Sequence, residues 1–212
     1  MVNLLKGLNP YKIPDVGSGL ALFSSYLLNQ TEGEECWCVD KTYASDSIDI
    51  VESKKIHFQR EANKVDVGLV LLMNVLKHVD DDIGLLQDYL AKVPRGTKFP
   101  ISVHAFQFLW SNHDIFLEHK RRYTLSEIEI VAKEAGLTNI CGAYYFSAIF
   151  PITLTSRLIS KIHRKSNIPH SQLSKHNWLI NKLLVLLCKV ELPFMPHNPM
   201  VGLTEFCIAE KP

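Results

Sequence analysis

The chain has 212 residues, of which 47% are apolar and 21% charged, and its formal charge is +1 at neutral pH. This composition is ordinary for a globular protein, and the small net charge gives no general attraction to nucleic acid, so no nucleic-acid partner is expected. The length favours one domain spanning residues 1–212. Five scattered cysteines lack the paired spacing of a metal site, which favours reduced thiols, a cytoplasmic location and no bound metal. The first residues lack the apolar core of a signal peptide, and no apolar run reaches the ~18 residues of a membrane span.

Apolar periodicity predicts alternating strands and helices through the first two thirds of the chain. The predicted strands cover residues 11–16, 36–40, 55–59 and 68–76, and residues 93–103 are predicted to form a turn followed by a fifth strand. The predicted helices cover residues 20–30, 83–91 and 125–135. Residues 47–50 are interpreted as a loop or a weak helix. Thr124 and Glu127 predict a capping box for the third helix, whereas acids at positions 80–82 favour the start of the second. This alternation predicts an α/β sheet with crossover helices.

The last third of the chain has a different pattern. Strands are predicted at residues 137–146 and 202–211, and helices at residues 148–162 and 174–192. The domain is therefore expected to have a core of residues 11–146 and 201–212, with a helical insertion at about 147–200. The second of these helices is apolar on nearly every face, which predicts burial in the core or at an interface. Alternatively, the insertion forms a lid for an apolar substrate or a peripheral membrane contact through residues 147–194.

A glycine turn follows the first predicted strand, in the stretch IPDVGSGLALFSSYLL. Gly17 and Gly19 lead into a helix, whose first N–H groups favour anionic or ribose-bearing ligands. Leu22 breaks the G-x-G-x-x-G pattern of dinucleotide sites, and Asp15 would repel a pyrophosphate but favours a cofactor with a cationic amino-acid end. Asp40, at the end of the second strand, is placed to accept both ribose hydroxyls. A plain tight turn is the alternative.

Four segments, in order along the chain, resemble class I S-adenosylmethionine-dependent methyltransferases. They are DVGSGLALFSSYLL, the acid of CWCVD, VLLMNVLKHVDDD, and FQFLWSNHDIFLEHKRRYTLSEIEIVAKEAGL. The chain is most similar to small bacterial methyltransferases with an F-L-W-S-x-H-D…H-x-R-R-Y-T segment, over residues 14–137 and again in the ending LPFMPHNPMVGLTEFCIAEK. The resemblance implies a Rossmann-like, seven-stranded, mostly parallel sheet with a C-terminal antiparallel pair. It also implies S-adenosylmethionine as cofactor and methyl transfer by in-line displacement to a small or lipid-linked acceptor.

The resemblance further implies a set of cofactor-binding residues. These are Asp15, Gly17, Ser18, Gly19 and Asn74 for the methionine end, Asp40 for the ribose, and Glu61 for the adenine amino group.

Four departures from the family pattern weigh against activity. Ala21 stands in place of the third glycine, and Asn74 and Lys77 stand where the family's D-V-L-E-H-V stretch has acids. His104 replaces the proline of a T-V-P-A stretch, and only about a dozen residues precede the first strand, where relatives carry a further helix over the cofactor. An alternative function is therefore a catalytically weakened or inactive protein of this fold that acts as a cofactor-binding or interaction module. A nucleotide-dependent oxidoreductase is disfavoured by the failed dinucleotide pattern.

Candidate general bases are four histidines near the ends of the fourth and fifth strands, namely His78, His104, His113 and His119. His104 and His113 are favoured because they follow the fifth strand, near where an acceptor would meet the cofactor. The alternative for each is a hydrogen-bonded structural histidine. Lys77 either opposes the cofactor's sulfonium or lies in solvent beside the acids at positions 80 and 81.

The segment HKRRYT also has two interpretations. It is an anion clamp, in which Arg121, Arg122 and Tyr123 bind a phosphate or carboxylate of the substrate, or a solvated basic turn paired with Glu118 and Glu127. The sequence leaves open whether the chain forms an oligomer.

Overall fold

The computed structural model describes residues 12–30, 33–62, 67–162 and 177–212. In this part of the chain the strands are β1 (Lys12–Val16), β2 (Glu35–Val39), β3 (Ser47–Val51), β4 (Lys54–Gln59), β5 (Leu72–Met73), β6 (Lys98–His104), β7 (Thr138–Tyr145) and β8 (Thr204–Glu210). The helices are α1 (Leu22–Gln30), α2 (Asp82–Lys92), α3 (Asn112–Phe116), α4 (Leu125–Glu134), α5 (Phe150–Ile162) and α6 (Trp178–Glu191). Tyr11 and residues 174–176, which the sequence assigned to a strand and a helix, lie outside the described residues.

The strands form two four-stranded mixed sheets, in the orders β1-β2-β4-β3 and β5-β6-β8-β7. The sheets meet where Asp15 pairs in parallel with Leu71. There the Val16 N–H donates to the Leu71 carbonyl at 2.9 Å, and the Leu71 N–H donates to the Pro14 carbonyl at 2.8 Å. The α/β class is confirmed, but the expected seven-stranded, mostly parallel sheet is wrong.

The difference between the expected single sheet and the two observed sheets arises at two places in the chain. Residues 69–72 are completely buried, as their apolar run predicts, yet only Leu72–Met73 forms a strand ladder. Burial on both faces therefore does not by itself imply a continuous strand. In addition, the segment interpreted as a loop or weak helix is strand β3, which pairs antiparallel with β4.

The C-terminal half contains the predicted antiparallel arrangement, because β8 lies between β6 and β7 and is antiparallel to both. Helices α5 and α6 lie between β7 and β8 in the chain, as the predicted insertion requires. However, the expected burial of α6 in the core of the chain is wrong, since none of its described residues is buried, whereas its burial at an interface stays a prediction. Within the described ranges, no helix combines the length and the apolar character needed to cross a membrane.

The core consists of clusters on the two sheets. Leu86 of α2 and Ile128 of α4 are fully buried in a cluster with Phe99 and Ile101 of β6. Leu27 of α1 belongs to a second cluster, which includes the inward-facing residues of β1 and β2. Full burial of one such side chain contributes about 1.5–3 kcal/mol. The helices are thus fixed against the sheets, and the carboxyl ends of β1, β2, β5 and β6 are left to carry the polar side chains described next.

Both predicted helix starts are confirmed. Glu127 accepts a hydrogen bond from the Thr124 N–H at 2.6 Å, and the Glu127 N–H donates to the Thr124 hydroxyl at 3.4 Å. At α2 the carboxylate of Asp81 accepts from the Gly84 N–H at 2.8 Å. These contacts satisfy N–H groups that have no partner within the helix.

Candidate functional site

The glycine turn lies at the carboxyl ends of β1 and β2. Gly17 and Gly19 have positive φ values of 64° and 51°, a region that glycine adopts at little cost. The Gly17 N–H donates to the Val39 carbonyl at 2.7 Å, which binds the turn to the end of β2. A Cβ atom at Gly17 would lie 2.8 Å from a methyl carbon of Val75, so space also restricts this position to glycine.

Asp40 lies directly at this turn, as the sequence predicts for a residue at the end of the second strand. Its carboxylate accepts from the Gly19 N–H at 3.0 Å and from the Thr42 N–H at 2.9 Å. Partial burial raises the pKa of Asp40, but the hydrogen bonds from Thr42 and Gly19 outweigh it and hold that pKa below its ordinary value. Tyr43 completes the contacts by donating to the Gly19 carbonyl at 2.7 Å and lying 2.8 Å from the Ser18 hydroxyl. Asp40 is therefore ionised and held beside the glycine turn.

Asp15, the last residue but one of β1, precedes the turn and is almost completely buried. One carboxylate oxygen accepts a hydrogen bond from the Ser24 hydroxyl, and the other has no hydrogen-bond partner among the described residues. Burial raises the pKa of Asp15 to about 6, against the lowering effect of the Ser24 hydrogen bond, and the charge of Asp40 raises it further. A buried acid with one unpaired oxygen favours a cationic or hydrogen-bond-donating ligand.

A second polar group lies at the carboxyl ends of β5 and β6. The Asn74 N–H donates to the Ser102 carbonyl at 2.9 Å, and the Asn74 side-chain oxygen accepts from the Lys77 amine at 3.0 Å. Lys77 is buried, and its amine also lies 2.9 Å from Nε2 of His104. Burial, reinforced by the charge of Arg122, lowers the pKa of Lys77 to about 7. The alternative that Lys77 lies in solvent beside acids is therefore wrong.

The histidines of the predicted base set come together around Lys77, apart from His113. The His119 ring lies 5.1 Å from that of His104 and 4.8 Å from that of His78, edge to face in both cases. Buried nitrogens of His104 and His119 have no hydrogen-bond partner among the described residues. Burial lowers the pKa of all three rings, for His78 to about 4, so they are neutral near pH 7 and are weaker bases than an ordinary histidine. His113 lies on α3, where partial burial lowers its pKa as well.

Arg122 does make a forked contact with a carboxylate, but the carboxylate belongs to Asp114. The distances are 2.9 Å from Nε to Oδ1 and 3.0 Å from Nη2 to Oδ2, and Nη1 donates to the Ala105 carbonyl at 3.1 Å. Tyr123 is buried and donates to Asp82 at 2.8 Å. Arg121 donates to the Asp80 carbonyl at 2.8 Å and remains partly exposed. Among the described residues, the segment HKRRYT therefore does not pair with Glu118, which the alternative predicted. Its basic residues pair instead with the more distant acids Asp80, Asp82 and Asp114.

The group formed by His104, Asp114 and His119 brings potential metal-ligating atoms within 4.8 Å of one another. The surrounding charges do not fit a cation. Both oxygens of Asp114 accept from Arg122, and the Lys77 amine lies against His104. We therefore assign no metal to it.

Comparisons with known proteins give the fold. No family model matches the chain, and no curated protein does. A protein of Bacillus halodurans C-125 that is provisionally assigned as a methyltransferase matches with a TM-score of 0.57 at 10% identity, over 100% of this chain and 98% of its own. A SAM-dependent methyltransferase of Archaeoglobus fulgidus matches with a TM-score of 0.55 at 14% identity, over 99% of this chain and 92% of its own. The plantazolicin methyltransferase BamL, solved with S-adenosylhomocysteine, matches with a TM-score of 0.52 at 14% identity, over 99% of this chain and 84% of its own.

The chain has a methyltransferase-like α/β fold. Within it, the structure brings Asp15, Gly17, Ser18, Gly19 and Asp40 to one location, and places Asn74 at the end of β5. Glu61 is exposed two residues beyond the end of β4, the neighbour of β2.

Sequence reasoning missed three residues of the candidate site. Tyr43 and Ser24 contact the glycine turn and Asp15, and nothing in their sequence context singles them out. Asp114 had a detectable signal, because its spacing from Ser111 is that of a capping box, which the structure contains.

Proposed function

We propose that the protein binds S-adenosylmethionine and transfers its methyl group to a small or lipid-linked acceptor. The observation that carries this proposal is the position of Asp15 and Asp40 on either side of the glycine turn, with one buried Asp15 oxygen unpaired. Asp40 would accept the ribose hydroxyls, while Asp15 would favour the cationic methionine end and repel a pyrophosphate. Gly17, Ser18 and Gly19 would let the ligand approach the backbone, and Glu61 would reach the adenine amino group.

When bound, the cofactor supplies a methyl carbon that is already activated by the adjacent sulfonium. The chain's own residues then have to position the acceptor and, where the acceptor carries a proton, remove it. His104 is the proposed base because it lies at the carboxyl end of β6 with one nitrogen unpaired among the described residues, although burial and the charge of Lys77 weaken its basicity. Lys77 would hold its other nitrogen. His113 is retained as a second candidate, and Arg121 as a candidate contact for the acceptor. Arg122 and Tyr123 are not retained as acceptor contacts, because their own polar groups are occupied.

The alternative is a protein of the same fold that binds the cofactor but transfers no methyl group. One observation favours it. The Lys77 amine lies against Asn74, at the position where the resemblance expects acids facing the methionine end.

Isothermal titration calorimetry with S-adenosylmethionine, S-adenosylhomocysteine and NAD tests the proposal. We expect binding of the first two ligands and none of NAD. Asp40→Ala should weaken binding by about 1.5–3 kcal/mol, the range for loss of a charged hydrogen-bond acceptor. Asp49→Ala, which removes an exposed acid from β3, is the matched control and should change nothing. NAD binding as tight as that of the adenosyl ligands would refute the cofactor assignment, whereas adenosyl binding without methyl transfer to any acceptor would select the alternative.

A further inference from the structure

The helical insertion presents an unusually large apolar surface. None of the described residues of α6 is buried, and Leu179, Leu186 and Phe194 are 63%, 57% and 71% exposed. On α5, Ile159 and Ile162 are 57% and 78% exposed. Scattered exposed apolar side chains are normal in globular proteins, but this many on two helices indicate a surface that another body covers.

The same segment is strongly cationic. Residues 147–194 contain seven lysines and arginines and a single acid, Glu191, so their formal charge is +6 in a chain whose total is +1. The one acid faces inward, because its carboxylate accepts from the backbone N–H groups of Ser147 at 2.5 Å and Ala148 at 3.2 Å. The insertion therefore combines exposed apolar side chains with a positive formal charge.

The base of the insertion is fixed to the sheet beside the candidate site. Glu191 connects the end of α6 to the entry of α5. Phe150, the first residue of α5, packs 5.7 Å from the ring of Phe106, which follows His104 by two positions. The start of α5 consequently lies close to the carboxyl end of β6.

We propose that α5 and α6 dock on the surface of an anionic lipid membrane. Anionic headgroups attract lysines and arginines that lie near the surface, and an apolar helix face enters the boundary between headgroups and acyl chains. Trp178 fits this location, since it is 63% exposed with the Lys182 amine 4.1 Å from its ring centroid. A second copy of the chain is a poorer occupant, because it would bring the exposed lysines of α6, Lys182 and Lys189, close to those of the other copy. Membrane docking would favour a lipid-linked acceptor over a freely diffusing one, and this part of the inference rests on the proposed function.

Vesicle co-sedimentation of the full-length protein tests the proposal. We expect binding to vesicles of phosphatidylcholine with about one third phosphatidylglycerol, weaker binding at about 0.5 M salt, and little binding to phosphatidylcholine alone. Lys182→Glu with Lys189→Glu should reduce binding about tenfold. Arg95→Glu with Lys133→Glu makes the same charge change away from the insertion and should have no effect.

The apolar contribution is tested in the same way. Leu179→Ser with Leu186→Ser should also reduce binding, whereas Ile130→Ser, at an exposed position of α4, should not. All the substituted side chains are exposed or at the surface, and circular dichroism melting checks that the variants fold. Vesicle binding that the insertion variants leave unchanged would overturn the proposal. The proposal would also be overturned if sedimentation velocity showed a dimer and Leu179→Ser with Leu186→Ser abolished it. A second copy of the chain would then cover the surface. Calorimetry with S-adenosylhomocysteine on the same variants separates failure of docking from failure of the proposed function.

Discussion

The side-chain amine of Lys77 lies 2.9 Å from Nε2 of His104, and this contact joins the carboxyl ends of β5 and β6. Burial and the charge of Arg122 lower the pKa of Lys77 to about 7, while burial and the charge of Lys77 lower that of His104. A proton on one of the two groups disfavours a proton on the other. The net charge beside Asn74 therefore changes close to neutral pH.

Replacing Lys77 by methionine should remove a pH dependence of stability. The unfolded lysine keeps its proton up to its ordinary pKa, whereas the folded lysine loses it near pH 7. The free energy of unfolding of the wild-type protein therefore rises with pH between these two pKa values. The advantage of Lys77→Met over wild type should accordingly fall by about 2–3 kcal/mol between pH 7 and pH 9.5. Urea denaturation at several pH values measures it, with Lys133→Met as the exposed control. Parallel curves for Lys77→Met and wild type would contradict the assigned burial of the charge.

Arg122 and Arg121 should differ sharply in their contribution to stability. Arg122→Met removes the forked partner of the buried Asp114 carboxylate, and we expect a loss of about 3–5 kcal/mol in the free energy of unfolding. Arg121→Met removes a partly exposed pair and should cost about 1 kcal/mol or less. Urea denaturation distinguishes the two. If Arg122→Met unfolded like wild type, the clamp interpretation of this segment would return.

This contrast shows which part of the site the sequence could predict. Strand order and the glycine spacing place Asp15 and Asp40 together, because the carboxyl ends of adjacent parallel strands share one edge of a sheet. The sequence could not predict the partners of the segment HKRRYT in this way. Tyr123, for example, donates to an acid 41 residues away. Periodicity records which face of an element is apolar but carries no information on such distant pairs.

The missed strand β3 has a different, local cause. Its hairpin turns at Glu52 and Ser53, which have φ values of 50° and 71°. Turns with two left-handed residues usually carry glycine or asparagine, and this one carries neither, so its signal is absent from the sequence. Every residue of β3 is exposed, so its apolar pattern also gives no sign of burial.

Glu205 should make the protein less stable as pH rises. It is fully buried on β8 with both carboxylate oxygens unpaired among the described residues. Burial, with the charges of Glu127 and Glu129, raises its pKa to about 9. The folded acid keeps its proton to higher pH than the unfolded acid, so its contribution is fully present below the unfolded pKa and is lost as pH rises through about 9.

Glu205→Gln removes this loss. Its free energy of unfolding should exceed that of wild type by an amount that grows between pH 5 and pH 8.5, to on the order of 4 kcal/mol. Glu210→Gln, on the same strand, is the matched control. A gap that stays constant with pH in urea denaturation would show that Glu205 ionises in the folded protein as it does in the unfolded chain.

The charge of Lys77 should influence the affinity for the proposed cofactor. If the sulfonium of S-adenosylmethionine lies near the end of β5, protonated Lys77 opposes it, by ~2 kcal/mol for charges ~8 Å apart at an effective dielectric of ~20. S-adenosylhomocysteine has no sulfonium and should be less affected. Asn74→Asp with Lys77→Glu should therefore tighten binding of S-adenosylmethionine more than binding of S-adenosylhomocysteine.

The wild-type protein should show the same effect through pH. Because Lys77 loses its proton near pH 7, the affinity ratio of S-adenosylmethionine to S-adenosylhomocysteine should rise between pH 6 and pH 8. Asp15 titrates near pH 6 and changes the ratio in the same direction, so the comparison with Lys77→Met isolates the lysine. Calorimetry with both ligands at both pH values measures these ratios. A ratio that changes equally in wild type and Lys77→Met would place Lys77 electrostatically remote from the sulfur, and the case for a weakened enzyme would then lose its main support.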